Sequence, residues 1–226
     1  ANAAKSHRAR LAHLERMEPP AKEAGNVHFS FPFTHDVGEK PLVVEDLSIG
    51  YGEPLLEGIR FLLKKGEKIA ILGQNGVGKT TFLKTILGKI PALGGTYKFL
   101  EGTVINEYSQ DEQIDLSLSP FDFIHASYPS LTNTEIRTCL GKVGVRKELA
   151  LRPMKELSGG EVTKARFALM TLKKSNFLVL DEPTNHLDQK AKDALFEAIS
   201  SFPGAVILVS HEKDFYDGLV DYEMTF

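Results

Sequence analysis

The chain has 226 residues, 42% of them hydrophobic and 25% charged, which is ordinary for a globular protein and leaves enough apolar material for one large domain or two small ones. A formal net charge of -3 gives no global drive towards nucleic acid, so any such contact must come from a local patch. The single cysteine, Cys139, excludes an internal disulfide and fits a reducing cytoplasm, and no stretch approaches the ~18 apolar residues that a membrane-spanning helix needs.

Lys5 to Met17 reads as a helix with Leu11, Leu14 and Met17 on one side, and Pro19-Pro20 stops it. Lys5, Arg8, Arg10, Arg16 and Lys22 outnumber the acids here. Two readings stay open for residues 1–25: a solvated helix docked by a narrow apolar stripe, or the end of a basic interdomain linker that touches RNA. No signal peptide is visible. The chain opens on Ala1 rather than Met, as if in the middle of a helix, which leads us to expect a piece of a longer polypeptide.

From Val27 the pattern turns to period two, with Val27, Phe29, Phe31 and Phe33 alternating with polar residues and Pro32, so an edge strand is predicted there. Leu42–Tyr51 and Leu55–Leu63 follow as strands around glycine turns, giving a β-rich, antiparallel opening. Lys68–Leu72 is a short apolar strand that runs into a glycine loop, Lys79–Leu87 a helix, and Thr96–Tyr108 again a strand. Between Pro120 and Val143 the reading is helical. Pro120 suits a first helical position after Ser119, and Thr132 with Glu135 makes a capping box. A helix from Glu161 to about Lys174, a strand Phe177–Leu180, a helix carrying Ala191, Leu195, Ile199 and Phe202, and a strand Ala205–Val209 complete the order. Alternating strands and helices imply an α/β fold with a largely parallel core sheet covered by helices.

Three segments carry chemistry. Gly73, Gln74, Asn75, Gly76, Val77, Gly78, Lys79 and Thr80 fit the phosphate-loop pattern, with Thr81 next on the helix. Glycines let successive backbone N–H groups point at phosphate oxygens, and the helix beginning at Lys79 adds its positive dipole end. Lys79 would bridge the β- and γ-phosphates, and the Thr80 hydroxyl would bind Mg2+. The second segment, Phe177 to Glu182, is a buried strand with two carboxylates at its carboxyl end, where open α/β sheets bind ligands. Asp181 would hold Mg2+ through water, and Glu182 would polarise the water that attacks the γ-phosphate. The third is Leu157-Ser158-Gly159-Gly160-Glu161. Alone it is equally a helix start with Glu in its first turn.

In this order the three resemble the ATP-binding-cassette family: a P-loop NTPase fold with an antiparallel β subdomain and a small helical subdomain, here expected over about 111–157. The resemblance covers residues 27–226, and the cassette domain is expected over 26–226. It implies that two cassettes pair head-to-tail and that Ser158, Gly159 and Gly160 press on ATP held by the partner's phosphate loop. Tyr51 would stack on adenine, Gln110 would reach Mg2+ and the attacking water, His211 would contact the γ-phosphate, and Asp188 would pass between the two ATP sites. Bound ATP and Mg2+ are implied with it.

Asp181-Glu-Pro-Thr-Asn185-His186-Leu187-Asp188 further resembles the ABC-F group, soluble proteins with two cassettes on one polypeptide that act on ribosomes. The helix after the signature, from Glu161 to Arg166, lacks the glutamine-rich start usual in transporter cassettes. The resemblance therefore implies a second ABC-F cassette preceded by the end of its linker, acting as an Mg-dependent ATPase. Its partners would be another cassette, from the same polypeptide or a second copy, and the ribosome and its RNA. Glu212 stands where an aspartate is commoner after the histidine. An ATPase subunit of a membrane transporter would use the same motifs. A DNA-repair cassette would carry long coiled coils or zinc insertions, for which there are neither sustained heptads nor Cys pairs.

Overall fold

The computed structural model describes residues 27–226, so the basic helix and linker expected over 1–25 lie outside the described residues. Two sheets organise the rest. Strands β1 (Leu42–Tyr51), β2 (Glu53–Leu63) and β4 (Gly94–Phe99) form an antiparallel sheet in the order β2-β1-β4. The second sheet holds β3 (Lys68–Leu72), β5 (Ile105–Tyr108), β6 (Phe177–Asp181), β7 (Ala205–Val209) and β8 (Tyr222–Thr225), in the order β5-β6-β7-β3-β8. Every pairing in it is parallel.

The central strands are buried on both faces, and their period-two alternation assigns each residue to one of two cores. Ala70, Leu178, Leu180, Val206 and Leu208 face a cluster built with the helices, including Phe167, Leu195 and Ile199. Ile69, Ile71, Phe177, Val179, Ile207 and Val209 face the antiparallel sheet and helix α1 (Lys79–Ile86), where Leu42, Leu47, Ile49 and Phe82 are fully buried.

Between β5 and β6 the chain makes a long helical excursion through α2 (Pro120–Ser127), α3 (Asn133–Lys142) and α4 (Gly159–Met170). It leaves at the carboxyl end of β5 and re-enters at the amino end of β6, a crossover that keeps these adjacent strands parallel, with Ile105 beside Phe177 and Tyr108 beside Leu180. The caps are legible locally. Ser119 accepts from the Asp122 N–H ahead of Pro120, and Thr132 and Glu135 form the expected capping box. Beyond β6, α5 (Gln189–Ser200) and the short α6 (Lys213–Tyr216) complete the order.

Three expectations are corrected. The alternating Val27–Phe33 segment is not a ladder strand: it makes only an isolated bridge, Phe33 to Ser175. Its alternation has another cause, since Phe29 and Phe31 plug the helical core and Phe29 lies 5.1 Å from the Phe167 ring. The single strand read over Thr96–Tyr108 is two strands in different sheets, divided by the turn at Leu100–Val104, where the Thr103 hydroxyl and N–H both bond the Leu100 carbonyl. The helix read from Glu161 to Lys174 runs from Gly159 to Met170.

Candidate functional site

The parallel sheet brings several sequence segments to one edge. Because β3, β5, β6 and β7 point the same way, their carboxyl ends lie together, which is where open α/β sheets bind ligands. The Gly73–Gly78 loop leaves β3, Gln110 follows β5, Asp181 and Glu182 end β6, and His211 follows β7. They line one cleft of about 170 Å3 with Asn75, Gly76, Gly78, Lys79, Thr80, Thr81 and Val209.

The loop has the conformation its glycines allow. Gly73 has φ 144° and Gly78 φ 119°, backbone that other residues rarely adopt, and a Cβ on Gly78 would stand 3.1 Å from Leu56 Cδ1. Lys79 is buried, and its Nζ donates to the carbonyls of Gly73 at 2.7 Å and Gln74 at 3.0 Å. The ammonium is thus folded against its own loop and positioned at the cleft.

Thr80 donates from Oγ1 to Asp181 Oδ2 at 2.9 Å, joining the loop helix to the end of β6. Burial pushes the Asp181 carboxyl above its ordinary range, against the opposing bond from Thr80. Glu182 is pushed up for the same reason, burial, opposed by His211. Its Oε1 lies 3.1 Å from His211 Nε2, an ion pair only when the imidazole is protonated, and otherwise has no hydrogen-bond partner among the described residues. Glu182 also has φ 49°, a left-handed conformation that costs a non-glycine residue about 1–2 kcal/mol. Its N–H bonds the Val209 carbonyl at 2.9 Å, which fixes the turn.

The oxygen donors fit Mg2+: a hydroxyl and a carboxylate already 2.9 Å apart, with the Gln110 amide on the same cleft. Among the described residues no group of three or more His, Cys, Asp or Glu side chains is placed to hold a metal. A cation held by Thr80 and Asp181 would therefore draw its other ligands from phosphate and water.

The remaining candidates lie elsewhere. Tyr51 is 63% exposed at the tip between β1 and β2 and does not line the cleft. Ser158 caps α4, with its hydroxyl donating to Glu161 Oε2 at 2.8 Å, while Gly159 and Gly160 begin the helix against His186. Asp188 caps α5 through the Ala191 N–H at 2.9 Å and pairs with Lys164 of α4 at 2.6 Å, a contact that holds its carboxyl below the ordinary range. The Ser158 segment and Asp188 are thus tied to each other rather than to the chain's own cleft. Sequence reasoning missed Val209 in the cleft lining and the Lys84–Asp111 pair at 3.1 Å, which tethers α1 to the residue after Gln110. It also missed the Arg166 contacts taken up below.

A phosphate loop, an acidic strand end and a histidine at one edge of a parallel sheet mark the P-loop NTPase fold of the cassette type. The chain belongs to the ATP-binding-cassette family: the ABC transporter family model matches residues 56–185. Among its relatives is YdiF of Bacillus subtilis, 38% identical over 216 residues, covering 94% of this chain and 34% of the relative. Human ATP-binding cassette sub-family F member 3 is 34% identical over 222 residues, covering 95% and 31%. The chain thus spans about a third of the length of these curated relatives. A dimeric ATP-binding cassette in a post-hydrolysis state bound to ADP and Pi matches with a TM-score of 0.69, covering 82% of this chain and 94% of that one. At 17% identity, that last likeness is one of fold alone.

Proposed function

We propose that this chain is a nucleotide-binding cassette of a soluble ABC-F protein that binds MgATP and hydrolyses it at a site completed by a second cassette. The observation that carries the ATPase reading is the convergence of Lys79, Thr80, Gln110, Asp181, Glu182 and His211 on one cleft. Lys79 would neutralise phosphate charge and Thr80 with Asp181 would hold the cation, which supplies electrostatic stabilisation of the transferred phosphoryl group. Glu182 would orient and deprotonate the attacking water, and its contact with His211 would keep both beside the γ-phosphate. Tyr51 would receive the adenine from its exposed position.

Ser158, Gly159, Gly160 and Asp188 would serve a partner's nucleotide. Their separation from the chain's own cleft, and the dimeric assembly of the structural neighbour, support a shared site. Asn185-His186-Leu187-Asp188, together with relatives named as sub-family F members, supports the ABC-F reading. From it follow a place as second cassette, with linker over 1–25, cassette over 26–226 and helical subdomain over about 111–157, and action on the ribosome in the cytoplasm. The test is co-sedimentation of the full-length protein with ribosomes in ATP, using Glu182→Gln to slow hydrolysis. Absence from the ribosome pellet under those conditions would overturn the ribosomal reading while leaving the ATPase reading intact.

One feature favours a second reading, the ATPase subunit of a membrane transporter. A groove of about 460 Å3 runs between β5, α2 and α4, lined by Tyr108, Phe123, Tyr128 and Leu169, and could seat a partner's helix. Among the described residues no helix is long and apolar enough to cross a membrane, so the span would belong to that partner. Stimulation of ATP turnover by a co-purified transmembrane protein would favour it.

A further inference from the structure

Arg166 lies on α4, two turns beyond Ser158, roughly 12 Å along the helix axis. Its side chain is 10% exposed, and its guanidinium grips the end of β5 and the segment that follows it, at Tyr108, Ser109 and Glu112. The Cζ atom stands 4.3 Å from the centroid of the Tyr108 ring, and Nη1 donates to the Tyr108 hydroxyl at 3.3 Å. Nη2 donates to the Ser109 carbonyl and to Glu112 Oε2, the latter at 2.9 Å. The Tyr108 ring is itself stacked on Phe167, the next residue of α4, at 4.6 Å and 6°.

These contacts bracket Gln110, which remains exposed and lines the phosphate cleft. On its other side, Asp111 is paired with Lys84 of α1, the helix that begins at the phosphate loop. Gln110 is therefore held between the helix that carries Lys79 and the helix whose first residues follow Ser158. The Arg166 grip is not the cheapest way to fill this space. Its Nε is buried without a partner among the described residues, and an apolar side chain of similar volume would avoid that desolvation. What an apolar side chain could not supply is a planar fork that fixes the Ser109 carbonyl and stacks on Tyr108 together.

We propose that Arg166 is a positioning residue that carries a change at the phosphate cleft, sensed by Gln110, to the Ser158 end of α4. The assignment rests on the ATPase reading above. It makes the signature segment responsive to the chain's own nucleotide, although that segment serves a partner's.

The test uses Arg166→Met, which keeps the volume and removes the fork, with Arg166→Lys as the conservative variant and Glu112→Gln as a milder loss from the exposed end. Affinity for MgATPγS is measured first, then amide hydrogen exchange with and without it. In the parent, nucleotide is expected to protect both 107–112 and 157–162. In Arg166→Met, affinity should stay within about twofold of the parent, as for a distant site. Protection at 107–112 should persist while protection at 157–162 disappears, and ATP turnover should fall about tenfold at unchanged KM. Arg166→Lys and Glu112→Gln should lie between. Full protection at 157–162 in Arg166→Met would overturn the assignment, as would a joint loss of affinity and protection, the mark of a merely structural role. If the parent itself fails to bind MgATPγS, the ATPase reading falls and takes this inference with it, an outcome recognisable before any variant is made.

Discussion

Gly160 lies so close to His186 that a Cβ on the glycine would stand 2.6 Å from the histidine's carbonyl oxygen. At the preceding position the neighbour differs: a Cβ on Gly159 would meet the imidazole, 3.0 Å from Cγ. His186 holds its place with φ 67°, a left-handed conformation. The start of α4 is therefore packed against both the main chain and the ring of His186, in the turn after Glu182, which is why small residues are needed there.

The two glycines should respond differently to alanine. Gly160→Ala meets main chain that no side-chain change can move, so steady-state ATP turnover should drop about tenfold or more, the scale on which misplaced groups cost rate. Gly159→Ala meets a side chain, so adding His186→Ala should restore most of its lost turnover and should not restore that of Gly160→Ala. Equal rescue of both would show that the contact does not govern the segment.

Lys79→Ala should weaken MgATP binding roughly 10- to 100-fold, the loss of one charge-assisted hydrogen bond worth about 1.5–3 kcal/mol. Glu182→Gln removes a proton acceptor and keeps the shape, so calorimetry should find binding near the parent's, and gel filtration in ATP should find an accumulated pair of cassettes. A Glu182→Gln chain that turns over ATP at the parental rate would remove Glu182 from the chemistry.

Asp181→Asn should stabilise the fold at neutral pH. Burial holds the Asp181 carboxyl above its ordinary 3.8 in the folded chain, so ionisation works against folding above that range, and the cost is absent below it. A gain of about 1 kcal/mol would raise Tm by roughly 2–4 °C at pH 7. The gain should disappear near pH 3, and a thermal melt at the two pH values checks it. Thr80 can still donate to the asparagine carbonyl, so its hydrogen bond is not the variable.

On the proposed shared site, which needs a partner's Ser158, turnover by this chain alone should be slow and should rise with protein concentration. It should also fall on the acid side with an inflection above 4.5, the ordinary glutamate value, since burial raises Glu182 and only its carboxylate can accept the water's proton. A concentration series and a pH–rate profile measure both. A rate per molecule independent of concentration would speak against a shared site.

The cleft was largely legible in the sequence because its residues sit at strand ends with fixed chemistry. Gly73 to Thr80, Asp181 and Glu182 each stand beside a short apolar strand, and a parallel sheet aligns such ends by construction. What the sequence could not disclose is what those side chains touch when folded. Val27–Phe33 alternates like a strand because Phe29 and Phe31 fill a helical core, so period two reported burial and not hydrogen bonding. Thr96–Tyr108 looked continuous because β4 and β5 share one apolar pattern, and only the pairing shows that they belong to different sheets. The Arg166 grip joins residues more than fifty positions apart, and an arginine on a helix otherwise reads as solvated charge.

The helical excursion leaves the parallel sheet at Tyr108 and returns at Phe177, on strands that are immediate neighbours. A crossover between adjacent parallel strands has only to carry the chain from the carboxyl edge of the sheet back to its amino edge, so the strands themselves set no length for it. The β5–β6 register sets no length for an insert between those strands, provided that the insert covers the sheet face that Phe167 and its neighbours now bury. Evolution and protein engineers thus have one place in this chain where recognition can be rewritten while Lys79, Asp181 and Glu182 keep their spacing. Gln110 and Ser158 to Gly160 are the exceptions: they lie inside the exchangeable stretch, so any graft would have to bring its own glutamine and its own helix start, each with its own way of being held.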